Sequence, residues 1–156
     1  VKPPLRSEAD CAAMVEGVSS DTIDLIVFSN EPQGADTKRH SFAAAAFGAV
    51  GLMSIVPAAL GLYHDGHASL SQILAALTAT PARLLGLTAG TLAKGAPADL
   101  VLLDTDEPFV LDERALHSRA RNTAFEGRKF QGRAQMTFVD GECVFSRAAS
   151  RGPSGR

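Results

Sequence analysis

Residues 29–33, Ser-Asn-Glu-Pro-Gln, bring a hydroxyl, two amides and a carboxylate together within one short polar stretch. A carboxylate such as that of Glu31 can accept and return a proton, which is what general acid–base catalysis requires. The amide of Gln33 can hydrogen-bond a substrate carboxylate. The hydroxyl of Ser29 does not ionise at neutral pH, so it cannot accept and return a proton as a carboxylate does. It is also a poor zinc ligand. The stretch therefore offers one group that can move a proton and several that can hold a polar ligand.

A second set of side chains with metal-binding chemistry lies at His64-Asp65-Gly66-His67. A zinc site needs at least three protein ligands, and no third candidate lies near in the sequence. We therefore interpret these residues as a solvated helix end followed by a turn. His40 and His117 are interpreted as surface residues.

The remaining charged residues favour a solvated surface over a site. Asp36, Lys38 and Arg39 form a charged stretch that is typical of an exposed loop face. A group of arginines in the second half lacks regularly interleaved aromatic residues, so a solvated surface or a subunit contact is favoured over nucleic-acid binding; it comprises Arg114, Arg119, Arg121, Arg128 and Arg133. The net charge of −2 gives no electrostatic reason to expect nucleic acid or a membrane surface as partner.

Hydropathy and cysteine usage indicate a cytoplasmic protein. The longest apolar stretch, residues 47–63, contains glycines and Pro57 and falls short of the ~20 residues of a membrane helix. The start of the chain lacks the basic and apolar regions of a signal peptide. Cys11 and Cys143 are far apart and form no C-x-x-C motif, so both are expected to be free thiols.

The elements that must position residues 29–33 lie on both sides of them. Ser7 and the acidic residues after it predict a helix start, and the apolar run at 22–28 predicts a buried strand of a parallel sheet. Loops after such strands hold the chemistry in barrel enzymes. Residues 47–62 and 70–78 are predicted to be helices, the second beginning at Ser69.

The stretch from Thr80 to Asp104 predicts a helix end, a turn and a strand. Pro81 suits the first turn of a short helix, and Gly86 suits the left-handed position that ends one. The alternation that follows predicts strands at 98–104 and 133–145, the latter containing a two-residue turn at Asp140-Gly141. These strands are expected to form a separate sheet.

The motifs of this second half resemble those of the amidohydrolase superfamily. The resemblance rests on Thr80-Pro-Ala-Arg, Gly86-Leu, Gly90-x-Leu and Ala98-Asp-Leu-Val. Two further segments resemble dihydroorotases in particular: Pro3-Pro-Leu-Arg near the start, and Asn122-Thr-Ala-Phe-Glu-Gly with Gly132-Arg and Thr137-x-Val-x-Gly near the end. The similarity runs from Lys2 to about Phe145.

The resemblance implies an α/β fold: the C-terminal portion of a (β/α)8 barrel followed by a small β-sandwich-type domain. A whole barrel needs roughly 250 residues, whereas this chain has 156. We therefore expect residues 1–92 to be the last helix–strand units of the barrel, residues 93–146 to be the β-domain, and residues 147–156 to be a disordered tail. The chain is expected to be the C-terminal part of a longer protein.

The resemblance also implies an activity. Dihydroorotases interconvert dihydroorotate and carbamoyl aspartate in pyrimidine biosynthesis with the help of zinc. Their eighth strand ends in Asp-His-x-Pro-His, and Pro32 sets the register, so that Ser29 stands at the proton-shuttling Asp, and Asn30 and Gln33 stand at the two His. Lys2 stands at a substrate-binding Asn, and Gly48 lies near a Pro-Gly pair whose backbone meets the substrate. Most zinc ligands, including a His-x-His motif, belong to family segments absent here, so no metal is expected on this chain alone.

Two kinds of function are compatible with these residues. The first is that of an active dihydroorotase or of another cyclic amidohydrolase, such as a hydantoinase or allantoinase. The second is that of a dihydroorotase-like subunit that has lost catalysis and serves as a structural partner, of aspartate transcarbamoylase or in a homo-oligomer. The altered Ser29-Asn30 pair favours the second possibility, although a rescue by Glu31 would favour the first.

Overall fold

The computed structural model describes residue 4 and residues 6–150, so the predictions for Lys2 and for Pro3 and Leu5 lie outside the described residues. Its helical part contains α1 (Glu8–Ser19), α2 (Ala35–Lys38), α3 (Ile55–His64), α4 (Leu70–Leu77) and α5 (Ala79–Leu84). Among the described residues, no helix is both long enough and apolar enough to cross a bilayer.

Two predicted helix starts are confirmed with their capping side chains. Ser7 Oγ accepts from the Asp10 N–H at 3.3 Å, and the Asp10 carboxylate accepts from the Ser7 N–H at 3.1 Å. Ser69 and Gln72 form the same reciprocal pair at the start of α4. Each pair satisfies N–H groups that the first helical turn would otherwise leave without a partner. The predicted end of α5 is also confirmed, since Gly86 adopts a φ of +66° just after it.

The core of the helical part lies between α1, α3 and α4. Leu60 of α3 and Ile73 of α4 are fully buried, and Val18 of α1 packs with them. Apolar side chains at these positions recur with helical spacing, which is why one face of each helix is buried.

A three-stranded antiparallel sheet follows, in the order β1 (Leu100–Val110), β2 (Lys129–Val139) and β3 (Glu142–Ser146). The strands predicted at 98–104 and 133–145 are thereby confirmed, although β1 continues to Val110 through a register shift near Pro108. Asp140 and Gly141 form the hairpin turn with φ values of +50° and +81°. Two positive φ angles are what a type I′ turn requires. A 3-10 turn, Glu113–Ala115, lies between β1 and β2.

Helix α3 joins the helical part to the sheet. Gly132 of β2 has a φ of +100°, and a Cβ added there would lie only 2.3 Å from Leu60 Cδ1. His64 Nε2 lies 2.9 Å from the carbonyl oxygen of Thr105 in β1. The interpretation of residues 64–67 as a helix end and turn is confirmed, since α3 ends at His64 and a turn follows. His64 itself is half-buried rather than solvated, because the sheet supplies a hydrogen-bond partner from distant sequence.

The prediction of a buried strand at residues 22–28 was wrong, because these residues form no strand in the structure. The N–H groups of Ile23 and Ile26 donate to carbonyl oxygens of Gly17 and Ala76, which belong to helices. A strand is held by a ladder of hydrogen bonds to another strand, and the three-stranded sheet does not include this segment. The side chain of Val27 is 76% exposed, so the segment is only partly covered.

The helix predicted at 47–62 begins only at Ile55 and extends to His64. Gly48 adopts a φ of +110°, which is incompatible with a right-handed helix. Residues 52–54 form a turn instead. At the far end of the chain, β3 leads into one helical turn, α6 (Arg147–Ser150), and residues 151–156 of the predicted tail lie outside the described residues. The predicted domain boundary near residue 92 stays a prediction.

Candidate functional site

The polar stretch 29–33 lies beside the loop at 48–52, and hydrogen bonds join the two. The N–H of Glu31 donates to the carbonyl oxygen of Ala49 at 3.0 Å. Asn30 Oδ1 accepts from the N–H groups of Gly51, at 3.0 Å, and Leu52, at 3.3 Å. The amide oxygen of Asn30 is therefore engaged in holding the loop before α3, while Ser29 and Glu31 are exposed.

Gly48 is the most constrained residue of this loop. It is buried, its φ is +110°, and a Cβ added to it would lie 2.5 Å from the carbonyl oxygen of Glu31. Only glycine allows the two backbones to approach this closely without strain. Gly48 was predicted to present its backbone to a ligand, and the structure places it directly against the polar stretch.

Asn122 connects three segments that are distant in sequence. Its Nδ2 donates to the carbonyl oxygen of Gly48 at 2.9 Å, and its Oδ1 accepts from the N–H of Gln33 at 3.2 Å. Its own carbonyl oxygen accepts from the N–H of Val50 at 2.8 Å. The half-buried Asn122 thus sets the spacing between the polar stretch and the loop. Sequence analysis assigned it no role, although it opens the motif Asn-Thr-Ala-Phe-Glu-Gly.

Lys38 also contacts this loop. Its Nζ donates to the carbonyl oxygens of Ala46 at 2.6 Å and Gly48 at 2.7 Å. The interpretation of Lys38 as part of an exposed charged face was wrong, because its ammonium group folds inward onto these carbonyls. Its neighbours Asp36 and Arg39 do fit that interpretation, since they are highly exposed and form a surface ion pair at 3.6 Å.

The predicted site residues are therefore brought together in part. Ser29, Asn30, Gln33 and Gly48 share one neighbourhood with Asn122 and Lys38, and Lys2 lies outside the described residues. Across the described residues, no three His, Cys, Asp or Glu side chains are grouped so as to hold a metal ion. The neighbourhood offers amide, hydroxyl and backbone groups, and Glu31 is the carboxylate of the polar stretch.

Ser29 borders an apolar groove with a volume of about 660 Å³. The groove lies between α1, the 23–29 segment and α3, and its lining side chains include Met14, Ile26, Phe28 and Ile55. The polar stretch thus begins at the rim of an open apolar surface.

The comparison with known families identifies the fold around this neighbourhood. The family model described as "Amidohydrolase family" matches residues 27–145, well over half of the chain. The chain belongs to the amidohydrolase family. The match includes the polar stretch, the Gly48 loop and Asn122, so the hydrogen-bonded neighbourhood lies inside the amidohydrolase region.

Curated relatives of this amidohydrolase chain include dihydroorotases. The protein from Anaeromyxobacter sp. (strain K) is 42% identical over 144 residues, which cover 92% of this chain and 33% of the relative. The protein from Anaplasma phagocytophilum is 38% identical over 145 residues, covering 93% of this chain and 32% of the relative. The chain spans about a third of the length of these relatives.

Solved structures of hydantoinases and dihydropyrimidinases share its fold. An L-hydantoinase from Arthrobacter aurescens is 28% identical and superimposes with a TM-score of 0.83, covering 94% of this chain and 34% of that one. The dihydropyrimidinase from Brevibacillus agri is 21% identical with a TM-score of 0.88, covering 93% of this chain and 33% of that one. At 21% identity, the likeness to the Brevibacillus agri structure shows a shared fold and nothing about function.

Proposed function

We propose that this chain is the C-terminal part of a dihydroorotase-type cyclic amidohydrolase, made of the last units of a (β/α)8 barrel and the small sheet β1–β3. The observation that carries the proposal is the 42% identity to a dihydroorotase over 92% of the chain. The proposed substrate is a cyclic amide with a carboxylate, dihydroorotate, and the proposed setting is cytoplasmic pyrimidine biosynthesis. A hydantoin or allantoin is the competing substrate class.

The neighbourhood supports a substrate-holding role for these residues. Gly48 is buried against the backbone of Glu31, and Asn122 and Lys38 fix its carbonyl oxygen, so the glycine loop is held in place beside the polar stretch. Gln33 carries an amide that can donate to a ligand carboxylate. In the proposed role, the chain orients the substrate through these groups, and Lys2 adds a cation.

The residues present do not fit a zinc site of this chain's own. Zinc supplies an activated hydroxide in the family, but Ser29, Asn30 and Gln33 are poor ligands for it. The amide oxygen of Asn30 also already accepts two backbone N–H groups. Any zinc would therefore depend on ligands from the other two thirds of the family's length.

This donor set favours a second candidate function, in which the subunit binds substrate or a partner protein without turning substrate over. Ser29 cannot take over the proton transfer of a carboxylate, and such transfer contributes about 10²–10⁴-fold to a rate. The partner in this case would be aspartate transcarbamoylase or further copies of the same subunit. Glu31 is exposed beside Gly48, and it is the group through which the first candidate would be rescued.

The deciding experiment uses the full-length protein that carries this chain. Binding of dihydroorotate is measured by calorimetry, zinc content by elemental analysis, and turnover by the release of carbamoyl aspartate, with hydantoin and allantoin as comparison substrates. Binding of dihydroorotate in preference to the other two supports the dihydroorotase type, and preferential binding of hydantoin or allantoin overturns it. Turnover then distinguishes an active enzyme from a subunit that binds the substrate without converting it.

A further inference from the structure

A second cavity lies beside the 29–33 stretch, and it shares no lining residue with the apolar groove. It opens between residues 32–38 and residues 113–122, and its volume is about 740 Å³. Neither the family match nor the proposed reaction assigns it a ligand. Of the residues in the proposed site, Gln33 and Asn122 border it together with Lys38.

The charges that line this cavity are mostly positive. Lys38, Arg119 and Arg121 line it against the single carboxylate of Glu113, a formal excess of two positive charges. The other lining side chains are neutral, and those of Gln33 and Ser118 are hydrogen-bond donors. The lining therefore combines cations with neutral donors, which is the composition that suits an oxyanion.

Two of the three cations are held in place by carbonyl oxygens. Lys38 Nζ donates to the carbonyl oxygens of Ala46 and Gly48. Arg121 Nη1 donates to those of Glu113 at 2.6 Å, Arg114 at 3.0 Å and Leu116 at 3.2 Å. These contacts orient the cations before any ligand arrives, so less conformational entropy is lost on binding.

Carbonyl oxygens orient a cation but do not neutralise it. The ion pairs found in the described part of the chain involve Arg39, Arg133 and Arg147, and none involves a cation of this cavity. A half-buried charge such as that of Lys38 is costly unless an opposite charge compensates it. We propose that this cavity binds a small oxyanion, a carboxylate or a phosphate, between Lys38, Arg119 and Arg121.

The proposal concerns binding and requires no turnover, so its test measures binding alone. Inorganic phosphate and succinate are titrated separately into the full-length protein by calorimetry at constant ionic strength, with sodium chloride as the control salt. Saturable binding of either anion is expected, and the tighter of the two identifies the class of the natural ligand. Absence of saturable binding beyond that of chloride would overturn the proposal.

Two variants with opposite expected effects on affinity test whether the anion binds in this cavity. Arg119→Gln removes an exposed cation and should weaken binding by about tenfold or more, as expected for one charge-assisted hydrogen bond. Glu113→Gln removes the opposing carboxylate and should tighten binding several-fold. Arg83→Gln is the matched control, because Arg83 is an exposed residue of α5 outside the cavity, and this variant should not change anion binding. If Arg119→Gln and Glu113→Gln both bind as the control does, the anion binds elsewhere and the proposal is wrong.

Discussion

The side-chain amide of Asn122 donates a 2.9 Å hydrogen bond to the carbonyl oxygen of Gly48, 74 residues earlier in the chain. The same amide accepts from the N–H of Gln33. One residue of the segment before β2 therefore determines how the polar stretch 29–33 lies against the glycine loop. This connection makes the sheet region part of the candidate site's support.

Two substitutions of Asn122 should show how much these two hydrogen bonds contribute to the stability of the protein. Asn122→Ala removes both, and we expect a loss of about 1–3 kcal/mol in the free energy of unfolding of the full-length protein, measured with urea. Asn122→Asp keeps the acceptor for Gln33 but places a carboxylate oxygen against the Gly48 carbonyl. It should therefore also destabilise the protein, through repulsion. Ordinary surface substitutions change the free energy of unfolding by less than about 0.5 kcal/mol. A loss below that value in both variants would show that Asn122 does not hold the polar stretch against the glycine loop.

Gly48→Ala should be severely destabilising. The φ of +110° is strained for alanine, and the new Cβ would lie 2.5 Å from a carbonyl oxygen that cannot move aside freely. Strain of this kind costs about 1–3 kcal/mol before the clash is added. Gly61→Ala is the matched control, because Gly61 lies inside α3 with nothing within 4 Å of the added Cβ. It should stabilise the protein by about 0.5–1 kcal/mol, and similar thermal midpoints for the two variants would contradict the prediction.

The full-length protein should show no appreciable dihydroorotase turnover by the family mechanism, because Ser29 stands where the family has its proton-shuttling Asp. The double variant Ser29→Asp, Asn30→His should gain zinc and turnover, assayed as carbamoyl aspartate formed. The gain should be smaller than the 10²–10⁴-fold that general acid–base catalysis typically contributes. The reason is that Asn30→His also removes the acceptor of the Gly51 and Leu52 N–H groups.

The single variant Ser29→Asp is the control for that loss of structure, since it leaves Asn30 in place. Robust turnover by the unmodified protein would disprove the candidate of a subunit that binds the substrate without converting it. In that case Glu31→Gln tests the rescue, and loss of turnover in that variant would identify Glu31 as the group that moves the proton.

The 156-residue chain by itself should bind a hydrophobic dye or self-associate. Its apolar groove of about 660 Å³ is open, and Val27 beside it is 76% exposed. Exposed apolar surface of this extent is a docking or aggregation site. Fluorescence of the dye, compared between the isolated chain and the full-length protein, measures the difference. A monomer that unfolds cooperatively and binds little dye would refute this prediction.

Short-range features were predictable because the interacting residues are close in sequence. Ser7 and Ser69 cap their helices through residues three positions ahead, and Gly86 and Asp140-Gly141 adopt their conformations for local steric reasons. The motifs around Thr80–Asp104 likewise indicated the amidohydrolase family from sequence alone. The sequence by itself therefore determined the caps, the turns, the sheet strands and the family.

The tertiary structure decided the features whose partners lie far away in the chain. Residues 22–28 have the composition of a buried strand, but a strand forms only against another strand. Here the N–H groups of Ile23 and Ile26 donate to carbonyl oxygens of helices instead. Lys38 has the sequence context of a surface residue, yet it donates to carbonyl oxygens that only the folded loop brings within reach. Asn122 meets Gly48 because packing places the segment before β2 beside the glycine loop. Hydrogen bonds across 74 residues leave no periodicity in a sequence, so three-dimensional packing alone could reveal them.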